Sequence, residues 1–293
     1  MRFHIVDVFA ESKFAGNQLA VAVPRGAVSA EGMQQIAQEM HFSETTFVWP
    51  KKKSDGGYEV RVFTPDQELP FAGHPTLGTA YIVQSLIIRK PVSEVKLDMK
   101  VGQIPVAFTY RRGVADILWM KQKEPAFGRI FDPSEVAPLL GVDASDFDQR
   151  FPIMEVSTGL WFAIAPLKSL KAVRRVILDR AATDRYLKSA KAIGFLVFSP
   201  ETYSKENDLN VRVLGPSPSI PEDPATGSGN GSLAAYLVKH RYFDKDTIDV
   251  KVEQGYEIGR RSLLLLRASR KGASIEVRVG GRVQYVAKGD LAD

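Results

Sequence analysis

Residues 219–231 read SIPEDPATGSGNG, and what this stretch opens decides the fold. Two adjacent acids, Glu222 and Asp223, run into Pro224; glycines follow at 227, 229 and 231, and then the apolar run LAAYLV. The G-x-G-x-G spacing is not the G-x-G-x-x-G of a dinucleotide-binding turn, and neither a P-loop nor a G-x-S-x-G nucleophile elbow occurs in the chain. A glycine-containing loop that opens a helix presents unpaired backbone N–H groups and the positive end of the helix dipole, which together bind anions such as carboxylates. The glycines either let a ligand approach the backbone closely or simply cap and pack the helix, and the residues alone leave both readings open.

The pattern has an echo earlier in the chain. Residues 43–65, SETTFVWPKKKSDGGYEVRVFTP, and 193–216, IGFLVFSPETYSKENDLNVRVLGP, share an apolar strand ending in Pro (50 and 200), a polar turn, Arg-Val (61–62 and 212–213) and a further Pro (65 and 216). DQELPFAGHPTLGTAYIV then matches SPSIPEDPATGSGNGSLAAYLV, a bulky aliphatic with its proline setting Leu69-Pro70 beside Ile220-Pro221. Residues 5–23 are echoed more loosely by 153–167. Matches in one order predict two copies of one unit, with 1–115 and 150–265 superposable. Strands are expected at 3–9, 18–23, 45–49, 58–63, 94–98, 104–110 and 116–120. Helices are expected at 29–40, with Ser29 as cap, and at 75–86, 132–142, 179–193 and 230–240. The helices at 75–86 and 230–240 are rich in small residues and poor in charge, so each is expected inside its own sheet.

Composition narrows the function. The 293 residues are 44% hydrophobic with a net charge of +5, and no long basic run is interleaved with aromatics, so nucleic acid is not an expected partner. The densest basic cluster, Lys51–Lys53, reads as a solvated hairpin turn. There are no cysteines, which excludes disulfides, thiolate zinc sites and thiol catalysis. The four histidines lack metal-ligand spacing, so no metal is expected. The beginning, MRFHIVDVFAESKF, has no continuous apolar core of a secretory leader, and no long apolar run suits a membrane span; a cytoplasmic protein is expected.

The titratable residues break the symmetry of the repeat. Glu44 has Gly194 as its counterpart, His74 has Ser228, and Asp223 has no acidic partner near Ala72. An imidazole and two carboxyls suit proton transfer. Each alone has a plainer reading: a solvated Glu, a helix-opening His, an Asp-Pro turn.

These blocks carry a resemblance. DVFAESKFAGNQLAV, SETTFV, FTPDQELPFAGHPTLGTA, IPEDPATGSGNG and EQGYEIGRRS, in that order, resemble the phenazine-biosynthesis isomerase (PhzF-like) family. The resemblance implies an α+β, diaminopimelate epimerase-like fold: two pseudo-symmetric domains, each a curved, barrel-like sheet around a central helix, with the active site between them. The domains are expected over 1–118, completed by 280–293, and over 119–279. It further implies a homodimer and a small carboxylated substrate. Glu44 becomes the acid/base, with His74 and Asp223 lining the pocket; Gly73, Gly227 and Ser228 face the substrate carboxylate, and Asn17 shapes the site. Related amino-acid epimerases use two thiols just before the helix-opening glycines, where this chain has Ala72 and Thr226, so two-thiol chemistry is excluded. GSGNGS replaces the GSAAG more usual in the phenazine enzymes, and GRRS replaces GRPS. The expected activity is a cofactor-independent isomerase moving a proton within a small, cyclic acid. The alternatives are a non-catalytic carboxylate-binding protein, or a lyase or hydrolase using the same pocket.

Overall fold

The computed structural model describes residues 1–217 and 220–292; Pro218 and Ser219, which fall within the second copy of the echo, lie outside the described residues. The chain divides into two compact units, Met1–Met120 with Gly280–Asp293, and Lys121–Val279.

In the first unit β1 (Arg2–Val8) pairs antiparallel with β2 (Asn17–Val23). Helix α1 (Ala30–Met40) follows, its first turn capped by Ser29, whose Oγ accepts from the Gly32 amide at 3.0 Å. It returns the chain to β3 (Glu44–Val48), parallel to β2. Next come β4 (Tyr58–Phe63), antiparallel to β3, and the short β5 (Glu68–Leu69), antiparallel to β4. Helix α2 (Gly73–Ile82) continues into a π-helical segment, Val83–Ile88. Strand β6 (Glu94–Met99) then runs parallel to β4, and β7 (Gly102–Arg111) and β8 (Val114–Lys121) complete the meander.

The second unit begins with β9 (Ala126–Phe131), a strand absent from the sequence expectations, and α3 (Pro133–Leu140). Strand β10 (Ile153–Ser157) pairs antiparallel with β9 and with β11 (Trp161–Pro166). After α4 (Leu170–Arg175) and α5 (Arg180–Leu187), β12 (Phe195–Ser199) lies parallel to β11. Strands β13 (Leu209–Ser217) and β14 (Ile220–Asp223) follow antiparallel, then α6 (Gly227–Lys239). Strand β15 (Thr247–Gln254) is parallel to β13, β16 (Ser262–Lys271) is antiparallel to β15, and β17 (Ser274–Gly281) ends the unit. The chain closes the first unit as β18 (Val283–Asp290), antiparallel to β1.

Each unit therefore repeats one sequence of pairings: antiparallel, parallel, antiparallel, antiparallel, then a helix, then parallel and antiparallel. The ladders also correct the expected register. Arg61 and Arg212 occupy the same rung of their units, and from them Glu68 matches Glu222 while Leu69 matches Asp223. The proline equivalent to Pro70 is thus Pro224, not Pro221. A shared aliphatic-proline pair misled the sequence match; an ion pair across the ladder fixes the true one. Arg61 Nε and Nη2 donate to the two Glu68 oxygens at 2.8 and 2.7 Å, and Arg212 does the same to Glu222 at 3.0 and 2.7 Å. Bidentate geometry of this kind holds both strands in one register.

Helix α2 packs against β1, β2, β3, β6 and β7, and α6 against β10, β11, β15 and β16. Nearly every residue of both helices is buried, as the scarcity of charge predicts. Helix α5 is shorter than the expected 179–193. The buried Glu155 carboxylate takes the amides of Lys191 and Ala192 at 2.5 and 3.0 Å, drawing the backbone there out of any helical pairing.

Close enclosure makes a mid-helix glycine obligatory. A Cβ on Gly78 would stand 2.6 Å from Leu19 Cδ2 and 2.9 Å from Val8 Cγ2, both in fully buried residues, whereas one on Gly229 would meet nothing closer than 3.3 Å. Gly→Ala in a helix normally stabilises by about 1 kcal/mol. Gly78→Ala should instead destabilise the protein by about 1–3 kcal/mol through overpacking, while Gly229→Ala should be close to neutral, as measured by urea denaturation. Equal effects at the two positions would contradict the packing described.

Candidate functional site

In the first unit the site is assembled by strand alternation. Glu44 and Thr46 project from the same face of β3. The Thr46 hydroxyl bonds to that of Thr79 in α2 at 2.8 Å, so this face looks onto the helix. Two residues back along it, Glu44 reaches the helix opening, where its Oε2 lies 3.3 Å from His74 Nε2. Both side chains are largely buried, with 13% and 6% of their surfaces exposed.

Burial pushes the His74 imidazole down to about 3, against a smaller opposing effect of a hydrogen bond with the Gln18 backbone. The ring is therefore neutral at physiological pH. Its Nε2 makes no conventional hydrogen bond, so the Gln18 bond falls to Nδ1; because it favours the charged ring, Nδ1 is the donor. Nε2 then presents a lone pair to Glu44. A carboxyl proton on Glu44 would make this contact attractive, since Nε2 can then accept it.

Gln18 belongs to β2, which begins at the buried Asn17 and sets Leu19 in register with Glu44. The sequence-expected Glu44, His74, Gly73 and Asn17 thus gather around one helix opening, where α2 starts at Gly73 without a side-chain cap.

In the second unit the two acids of the opening stretch part company. Glu222 turns to Arg212, whose guanidinium also donates to the carbonyls of Val173 and Val176 at 3.0 and 2.8 Å. Asp223, one residue on, presents its Oδ2 to the Thr226 hydroxyl at 2.5 Å. Thr226 precedes Gly227 and Ser228 at the start of α6, again without a side-chain cap. Asp223 therefore ends β14, and Gly227 and Ser228 open α6 after a three-residue turn. Sequence reasoning missed Gln18, whose contribution is a backbone group. It also gave no role to Gln254, although the EQG of EQGYEIGRRS was on view. Among the described residues, no group of three or more His, Cys, Asp or Glu is placed to hold a metal ion, and no helix is long and apolar enough to cross a membrane.

Comparisons with known proteins show what the chain as a whole resembles. A family profile described as "Phenazine biosynthesis-like protein" matches residues 6–289. The chain is 32% identical to trans-2,3-dihydro-3-hydroxyanthranilate isomerase of Pseudomonas aeruginosa, covering 98% of each. It is 31% identical to an uncharacterized isomerase of Mesorhizobium japonicum, over 98% of this chain and 97% of the other. Among solved structures, a PhzF-family phenazine biosynthesis protein of Bacillus anthracis superposes with a TM-score of 0.91 at 25% identity, covering 100% of this chain and 99% of the other. A probable proline racemase of Agrobacterium radiobacter, at 12% identity and a TM-score of 0.64, shares the fold over 99% of this chain and 92% of its own.

The depressed His74 also sets a pH dependence of stability. Below pH 6.5 the unfolded chain protonates this imidazole and the folded chain does not until about pH 3. Its contribution is thus present above 6.5 and lost as pH falls through that window. His74→Asn should flatten the acid limb by up to about 1.4 kcal/mol per pH unit. Urea denaturation at pH 7, 5.5 and 4 measures it; an unchanged limb would mean that the ring is not buried as a neutral group.

Proposed function

This chain belongs to the phenazine biosynthesis-like family, and from that membership we propose that it is an isomerase moving a proton within a small, carboxylated, cyclic metabolite. The observation that carries the reading is the buried Glu44–His74 pair, in which one carboxyl faces the lone pair of a neutral imidazole. As carboxylate, Glu44 takes a proton from a substrate carbon, and the released electron pair spreads into the adjoining unsaturated system. The carboxylic acid so formed donates a hydrogen bond to His74 Nε2, which stabilises it for its brief existence. Glu44 then returns the proton to a different carbon. Substrate and product are isomers, and the step balances without an external oxidant or reductant.

Helix openings supply the second requirement, a seat for the substrate carboxylate. The opening amide at Gly73 in the first unit, with Asn17 beside it, and those at Gly227 and Ser228 in the second, with Asp223, suit that role. General acid–base catalysis of this kind contributes about 10²- to 10⁴-fold, with electrostatic stabilisation adding to it. The chain's GSGNGS and GRRS sequences, where the phenazine enzymes more often carry GSAAG and GRPS, favour a small acid other than the phenazine precursor. The compound in the name of the Pseudomonas aeruginosa relative, trans-2,3-dihydro-3-hydroxyanthranilate, is nevertheless the first probe to use.

Glu44→Gln keeps the size of the side chain and removes its basicity. Solvent-deuterium incorporation into the probe, followed by NMR, should fall by at least about 10²-fold, with the melting temperature close to that of the parent. Asp223→Asn should also slow exchange if the second unit's loop takes part in the same reaction. Exchange by Glu44→Gln at the parent rate would remove Glu44 from the chemistry and leave only a carboxylate-binding site.

A further inference from the structure

We propose that Gln254 and Thr226 form a directional hydrogen-bond relay that aims a hydroxyl proton at Asp223, making both of them positioning residues for the isomerase reaction. The inference rests on the reading of Asp223 as part of the substrate site. Gln254 is the last residue of β15 and is fully buried. Its amide uses its whole hydrogen-bonding capacity. Nε2 donates to the Asp223 carbonyl at 2.7 Å and to Thr226 Oγ1 at 3.0 Å. Oε1 accepts from the Thr226 amide at 3.1 Å and from Asn230 Nδ2 at 2.8 Å.

These partners allow only one orientation of the amide. Turned over, it would set its oxygen against the Asp223 carbonyl and its NH2 against the Thr226 N–H and the Asn230 NH2, losing at least three of the four bonds. The fixed orientation has a chemical result. Thr226 Oγ1 is already an acceptor from Gln254, so the hydroxyl's own proton is directed to Asp223 Oδ2, 2.5 Å away. The same glutamine fixes Asp223 through its backbone, Thr226 through its amide, and the first turn of α6 through Asn230, whose Nδ2 also donates to the Thr226 carbonyl at 3.1 Å.

The loop after Gln254 is shaped to support it. Gly255 has a φ of +77°, and a Cβ there would lie 2.3 Å from the Arg260 carbonyl and 2.6 Å from that of Pro224. Ser262 Oγ donates to the Pro224 carbonyl at 2.8 Å, tying the far end of the same turn to the proline that follows Asp223. The EQGYEIGRRS segment thus grips the Asp223–Thr226 loop at several points, and the Gln254 contact also governs the direction of the Thr226 proton.

Two near-isosteric substitutions test the relay. Gln254→Glu keeps both acceptor contacts and loses both donors, so the Thr226 hydroxyl can turn toward the new carboxylate. Thr226→Val removes the hydroxyl alone. Each should lower kcat for deuterium exchange into trans-2,3-dihydro-3-hydroxyanthranilate by about 10- to 100-fold with KM little changed, and the double variant should lose no more than the worse single one. A merely structural role would give additive losses that follow the melting temperatures. A readout without substrate accompanies this: the parent should show a slowly exchanging hydroxyl proton resonance that is absent in Thr226→Val and displaced in Gln254→Glu. If that resonance is unchanged in Gln254→Glu, or if the two losses add, the relay is wrong. Glu44→Gln serves as the control for the underlying reading: if it exchanges normally, the proton-transfer assignment fails, whereas if it is inactive while both relay variants are fully active, only the relay fails.

Discussion

A helix enclosed by its own sheet has no side to give to water, and this one constraint organises each unit. The helix must be built from small and apolar residues, and where strands press closest only hydrogen fits, as at Gly78. Its flanks are therefore chemically silent. Polar function is pushed to the helix opening, where backbone amides lack intrahelical partners. The strand before each opening is held by an arginine–glutamate pair, Arg61–Glu68 in one unit and Arg212–Glu222 in the other. In the second unit, where the pair is buried, removing one partner would leave an uncompensated charge beside the helix opening, whereas in the first Lys100 also pairs with Glu68 at 2.7 Å.

On this common frame the two units have taken different chemistry. The first presents Ala72-Gly73-His74 and adds Glu44 from β3. The second presents Thr226-Gly227-Ser228 and adds Asp223, with Gln254 behind it. The asymmetry is built into the backbone as well as the side chains. At Gly194, the counterpart of Glu44, a Cβ would stand 2.4 Å from the Leu214 carbonyl. No carboxylate could be grafted there without moving the strand. The second unit therefore has no space for the first unit's version of this position.

Much of this was legible in the sequence because the signals were local. The double echo, the Ser29 cap, the small-residue helices and the break in symmetry at Glu44 and His74 all depend on residue spacing along one strand or turn. What failed depended on partners distant in the chain. The register between Leu69 and Asp223 is decided by a cross-strand ion pair that a match of prolines does not reveal. The early end of α5 is decided by Glu155, more than thirty residues away in sequence, at 36 and 37 positions from the amides it takes. Gln254 looks like an ordinary polar residue at a strand end, and only its four bonds, three to the Asp223–Thr226 loop and one to Asn230, distinguish it.

Ala72 and Thr226 at the two helix openings have a consequence for the conditions under which this protein can work. With these residues there, and no cysteine in the sequence, neither opening carries a thiol to be converted to sulfenic acid or trapped as a mixed disulfide. Alkylating reagents such as iodoacetamide have no cysteine to attack anywhere in the sequence.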